Sequence, residues 1–284
     1  MTMGAHGNSA DAARREGSHR SWSRAGTGPS LPVRAGDSDV PGGLPHPRRV
    51  LTVEGVTRSF STGLWPRRRR IQVLRGADLT VDAGEVVGLV GENGSGKSTL
   101  MKVIVGALAA QAGTVAVAGA VGYCPQQPQL YPRLTCREHL DLFAAAYRLP
   151  RSLLTARTEE LLEVLNFARY ADTRADRLSG GTTAKLNLSL ALLHDPELLL
   201  LDEPYAGFDW ETYQTFWTLV EERRRSGVSV LIVSHFVADT ERFDRIVRLG
   251  DGRTTSSTVR STPSRETAPQ ATVPAVRGES GGAR

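Results

Sequence analysis

The chain holds only two cysteines, Cys124 and Cys136, in 284 residues. That number excludes a disulfide framework and reads as reduced thiols of a cytosolic protein. Aromatic residues make up 6%, and long greasy runs are absent. The nearest candidate for a membrane span, residues 103–122 (VIVGALAAQAGTVAVAGAVG), is built of small residues and carries Gln111 and Thr114, so a membrane role has to come through a partner chain. The N-terminal stretch lacks the apolar central run of a secretory signal. A net basic globular part is missing too. The net charge of +5 sits at the ends: residues 1–49 hold seven arginines against four acids and residues 254–284 four against two, while 50–253 is balanced at 24 of each sign. No nucleic-acid partner is expected from such a balance. Lysine is the scarcest charged residue, three (97, 102 and 185) beside 32 arginines.

What is present divides the chain into three. Residues 1–49 and 254–284 are rich in Gly, Ser, Pro, Ala and Arg with no apolar period; they cannot bury enough surface to offset their ordering entropy and are expected to be disordered. Residues 50–253 alternate strand and helix patterns. VLTVEGVTRSF and IQVLRGADLTVD alternate as half-buried strands, joined by a polar turn whose arginines 67–70 are expected to be a solvated loop. The apolar runs EVVGLV, LLLLDEP and VSVLIVSH read as buried strands, and a short strand pair is expected between the helix from about Lys97 and residue 134. Helical patterns fall in 134–150, opened by Thr135 and Glu138 at capping-box spacing, in 154–172, and in 210–227. The fold class predicted is α/β: a doubly wound, mostly parallel sheet with an antiparallel β subdomain and a helical insertion at about 133–177.

GENGSGKST (91–99) satisfies G-x-x-x-x-G-K-[ST] between a strand and a helix, the context the motif requires. Its candidate nucleotide contacts are Gly91, Asn93, Gly94, Ser95, Gly96, Lys97, Ser98 and Thr99. The glycines let backbone N–H groups wrap phosphates, Lys97 reaches the β and γ oxygens, and the Ser98 hydroxyl is offered to Mg²⁺. A chain that otherwise prefers arginine keeps lysine here because a planar guanidinium cannot replace a compact ammonium. At the end of LLLLDEP, Asp202 is placed to hold Mg²⁺ and Glu203 to orient or deprotonate a water attacking the γ-phosphate. His235, ending VSVLIVSH, is placed to donate a hydrogen bond to that phosphate. LSGGT (178–182) opens a helix with Ser179, Gly180 and Gly181, which present bare N–H groups to an anion.

From about residue 50 to 253 the order of motifs, GENGSGKST, GYCPQQ, LSGGT, LLLLDEP, YAGFD and VSH, resembles the ATP-binding subunit of the ATP-binding cassette (ABC) transporter family. The resemblance implies a catalytic set of Glu203, His235 and Gln126, with Mg²⁺ held by Ser98, Gln126 and Asp202. It implies that Phe60 stacks on adenine and that Asp209 helps join two subunits. It implies a head-to-tail pair, with an identical or a paralogous subunit, in which Ser179, Gly180 and Gly181 close on the phosphate of the neighbour's ATP. The insertion would dock on an integral membrane permease, placing the chain on the cytoplasmic face of the membrane. The segment 130–150 resembles exporters of the ABC-2 type.

Three departures from the pattern stand out. Thr182 replaces the usual glutamine, Phe208 the usual leucine, and the stretch before Gln126 is short. A soluble ABC ATPase, for example in cofactor assembly, is the alternative reading. A non-catalytic ATP sensor is argued against by Lys97, Asp202, Glu203 and His235 together.

Overall fold

The structure, a computed structural model, describes residues 48–63, 69–234 and 240–258. The two terminal segments expected to be disordered therefore lie largely outside the described residues, as does His235. Strand β1 (Arg49–Thr62) pairs antiparallel with β2 (Arg69–Asp82) and with β4 (Ala112–Val117), forming a three-stranded sheet in the order β2-β1-β4. The second sheet runs β5-β6-β7-β3-β8-β9, from β5 (Val121–Cys124), β6 (Leu198–Asp202), β7 (Ser229–Ser234), β3 (Val86–Val90), β8 (Arg245–Gly250) and β9 (Arg253–Thr258). All its pairings are parallel except β8 with β9.

The central strands β3, β6 and β7 are buried at every residue, which is why they read as unbroken apolar runs rather than as alternations. Their side chains still sort by parity. Leu199, Leu201, Val230 and Ile232 face a core shared with the helices, including Leu140, Leu161, Leu186 and Phe216. Leu198, Leu200, Leu231 and Val233 face the other core, with Leu74, Leu100 and Met101, beneath the antiparallel sheet.

The helices are α1 (Lys97–Ile104), α2 (Cys136–Ala146), α3 (Arg151–Val164), α4 (Gly180–Leu192) and α5 (Trp210–Arg225). Helix α2 starts where the spacing predicts: the Thr135 hydroxyl accepts from the Glu138 N–H at 3.1 Å while the Glu138 carboxylate accepts from the Thr135 N–H at 2.8 Å. Four charges close a ring between the insertion and the body of the protein. Arg157 pairs with Glu160 and Asp195, each at 3.0 Å, and Arg223 of α5 pairs with the same two acids at 3.4 and 3.0 Å. Among the described residues no helix is long and apolar enough to cross a membrane.

Three expectations change. The two strands in 112–124 are not a pair: β4 joins the antiparallel sheet and β5 the parallel one. The three residues between them are stapled at both ends, with the Ala118 N–H donating to the Val50 carbonyl and the Ala120 carbonyl accepting from Glu197 and Leu198. Of the arginines expected in a loop, Arg69 and Arg70 begin β2, opposite Thr62 and Ser61, while 67 and 68 lie outside the described residues. Ordered chain also runs past residue 253, because β9 needs only backbone partners on β8 and no apolar pattern of its own.

Candidate functional site

Strand β3 ends at Val90 and α1 begins at Lys97, so the glycine loop is rooted in the middle of the parallel sheet. The residue capping α1 is Gly96, in the left-handed region at φ 108°. A Cβ there would also stand 2.9 Å from the Val73 side chain, so only glycine fits. No side chain caps α1, and its first N–H groups remain directed at whatever occupies the loop.

Lys97 is 5% exposed. Its ammonium donates to the carbonyls of Gly91 at 2.6 Å and Glu92 at 2.9 Å, which uses two of its three hydrogens. Burial pushes its pKa below the ordinary lysine value, while the carboxylates of Glu203 and Asp202 act in the opposite direction.

Those carboxylates arrive on β6. Asp202, its last residue, is 2% exposed. Glu203 follows with a positive φ of 53° and is pinned by its N–H, which donates to the Val233 carbonyl at 3.1 Å. A glutamate held in the left-handed region marks a conformation imposed by its surroundings. The Tyr205 hydroxyl donates to the Ser234 hydroxyl, tying the turn after Glu203 to the residue before His235.

A cavity of about 440 Å³ gathers Asn93, Gly94, Gly96, Lys97, Ser98, Thr99, Gln126 and Glu203, together with Val73. A second, of about 720 Å³, shares Ser98 and Gln126 with the first and adds Asp202, Asn187 and the insertion residues Phe143 and Tyr147. Gly91 and Ser95 line a third, beside the β8–β9 turn. The hydroxyl of Ser98, the amide of Gln126 and the carboxylate of Asp202 are therefore oxygen donors on one cavity, a set that suits a small hard cation. Among the described residues no cluster of three His, Cys, Asp or Glu side chains forms a metal site by itself, so water and phosphate would have to complete the coordination of Mg²⁺ here.

Phe60, Ser179, Gly180, Gly181 and Asp209 line none of these cavities. Phe60 lies on β1 with the Arg58 guanidinium 5.2 Å from its ring centroid. Ser179 caps α4, accepting from the Thr182 N–H at 3.2 Å, and the Thr182 hydroxyl lies 2.9 Å from its own. Thr182 is thus buried reinforcement for the cap, a role a glutamine could not fill in the same way. Gly180 and Gly181 form the first turn of α4. Asp209 caps α5, accepting from the Thr212 N–H at 2.8 Å. Hydrogen bonding with Thr212 holds its carboxyl below the usual range. Phe208 packs with Phe216 at 6.3 Å in an aromatic group that includes Tyr205 and Trp217, which accommodates a ring where the family pattern has leucine. Sequence reasoning misses Tyr205, although it opens YAGFD, and misses Asn187, whose partners are distant in sequence.

A parallel sheet that holds a glycine loop over a buried lysine makes this a P-loop nucleotide-binding domain. The family model described as ABC transporter matches residues 74–206. The Nod factor export ATP-binding protein I of Burkholderia lata is 34% identical over 194 residues, 64% of each chain. A solved ATP-binding subunit of an ABC transporter is 30% identical, covers 74% of this chain and 90% of its own, and superposes with a TM-score of 0.66. A dimeric cassette in a post-hydrolysis state, bound to ADP and Pi, is 25% identical over 74% of this chain and 99% of its own, with a TM-score of 0.68. The chain belongs to the ABC transporter family, as an ATP-binding cassette. The family's cassettes bind ATP.

Proposed function

We propose that this chain is the ATP-hydrolysing subunit of an ABC exporter, acting in a pair of cassettes bound to a separate permease at the cytoplasmic face of a membrane. The observation that carries the reading is the single cavity onto which Lys97, Gln126 and Glu203 converge. The export function of the Burkholderia relative supports the direction, and the dimeric cassette supports the pairing.

In this reading the loop N–H groups and Lys97 hold the β- and γ-phosphates, and Phe60 stacks on adenine. Ser98, Gln126 and Asp202 would hold Mg²⁺, which supplies charge neutralisation between the phosphates. Glu203 takes the proton of the attacking water, and His235 donates to the γ-phosphate. Ser179, Gly180 and Gly181 line none of the cavities described above, so their bare N–H groups serve the phosphate held by a second cassette, with Asp209 helping to join the two. ATP then closes the pair and hydrolysis releases it. The insertion at about 133–177 carries that movement to the permease.

Two measurements test this. Mg²⁺-dependent phosphate release should vanish in Glu203→Gln while nucleotide binding persists. Tagged Glu203→Gln protein, captured from detergent-solubilised cells in MgATP, should bring a polytopic membrane protein with it. Soluble partners alone would favour the cofactor-assembly type of ABC ATPase and sink the exporter reading.

A further inference from the structure

Asn187 lies in the middle of α4 and is 6% exposed. Its amide nitrogen donates to the Pro125 carbonyl at 2.8 Å and to the Cys124 sulfur at 3.1 Å, so both hydrogens are spent on the end of β5. The Pro125 carbonyl belongs to the same planar peptide unit as the Gln126 N–H. Fixing that oxygen fixes the plane from which Gln126 departs. Proline leaves no N–H of its own at 125 to hold the turn in another way.

Eight residues earlier on the same helix stands Ser179, its N-cap, about 12 Å away along the axis. Between them only Thr182 and Leu186 are buried; from Leu186 onward the helix is packed into the core that contains Leu199 and Leu201, and the continuous hydrogen-bonded backbone of α4 ties its exposed first turns to that anchored half. One end of α4 carries the residues assigned above to the neighbour's phosphate, and its middle grips the residue before Gln126, which lines this subunit's own cavity.

We propose that Asn187 is a positioning residue that couples the two nucleotide sites of the pair: closure of a second cassette's ATP on Ser179 is passed along α4, through the Asn187 amide, to Gln126. The inference rests on the proposed function. Its distinguishing feature is that cooperativity in ATP, and not stability alone, depends on one side-chain amide.

The test is steady-state phosphate release by the full chain against ATP concentration, in wild type, Asn187→Leu, which keeps the branched shape and removes both N–H donors, Asn187→Ala, and Asn187→Gln, which keeps the amide. Wild type is expected to show a Hill coefficient above about 1.5. Leu and Ala variants should fall to about 1, with turnover down roughly 5- to 30-fold, and Gln should recover part of both. Thermal melts run alongside. A wild-type Hill coefficient in a folded Leu or Ala variant overturns the proposal. So does a lowered melting temperature with unchanged cooperativity, a non-cooperative wild type, or failure of Leu and Ala to fold while Gln folds, since each makes the bond purely structural. Absence of any Glu203-dependent hydrolysis in wild type would instead sink the function on which the proposal rests, a separate and recognisable result.

Discussion

The carbonyl oxygen of Gly207 lies 2.8 Å from the point where a Cβ on residue 181 would stand, whereas a Cβ on the adjacent Gly180 would meet nothing within 4 Å. The turn after β6 and the first turn of α4 therefore touch backbone to backbone, at one glycine and not at the other.

Two alanine variants separate the consequences. Gly180→Ala gains helix propensity in open space and should raise stability by about 0.5–1 kcal/mol. Gly181→Ala must push the Gly207 carbonyl aside and should lose about 1–2 kcal/mol. Both should lose hydrolysis if these residues approach a neighbour's phosphate. Urea titrations and phosphate release on the same samples decide, and a more stable Gly181→Ala would contradict the contact.

Lys97→Arg keeps the charge and loses the fit. A planar guanidinium cannot place its donors on the Gly91 and Glu92 carbonyls and still reach a phosphate from a position that is 5% exposed. ATP affinity, read by displacement of a fluorescent nucleotide, should drop at least about tenfold. Unchanged affinity would show that the ammonium is not a phosphate ligand.

Acid should weaken the start of α5. Thr212 holds the Asp209 carboxyl below its ordinary value, so the ionised cap favours the folded state above the unfolded pKa of about 3.9 and that contribution disappears as pH falls through the lower folded value. The Asp209→Asn variant keeps a capping oxygen that does not titrate. The stability gap between wild type and this variant should shrink as the pH is taken from about 6 to about 3. A gap independent of pH would remove the charge from the account.

The four-charge ring predicts a salt effect. Arg223 is the more buried of its arginines, at 16% side-chain exposure against 26% for Arg157, and each acid it meets is shared. Arg223→Ala should cost about 1 kcal/mol at low ionic strength and less at about 1 M salt. An identical loss at both would assign the effect to packing of the arginine stem.

The features legible in the sequence are those whose cause is local. The glycine loop, the Thr135–Glu138 capping box and the buried strands each depend on residues within one short segment. The misread pair in 112–124 has a different origin: either strand could accept the pattern, and only β1 on one side and β6 on the other decide which sheet takes it. Asn187 is invisible for the same reason, since its partners lie 62 and 63 residues away. The left-handed Glu203 gives no compositional signal, because neither glycine nor asparagine stands at that position.

The order of strands in the parallel sheet has a consequence for how the protein is made. Strand β3, which roots the glycine loop, pairs with β7 and β8, and β7 leaves the ribosome roughly 140 residues after it. A nascent chain carrying GENGSGKST therefore has the loop but not the strands that hold its root, and it cannot form a nucleotide pocket until nearly the whole cassette has been synthesised. Until then the stretch Val86–Val90, buried at every position in the finished fold, is apolar surface without its strand partners.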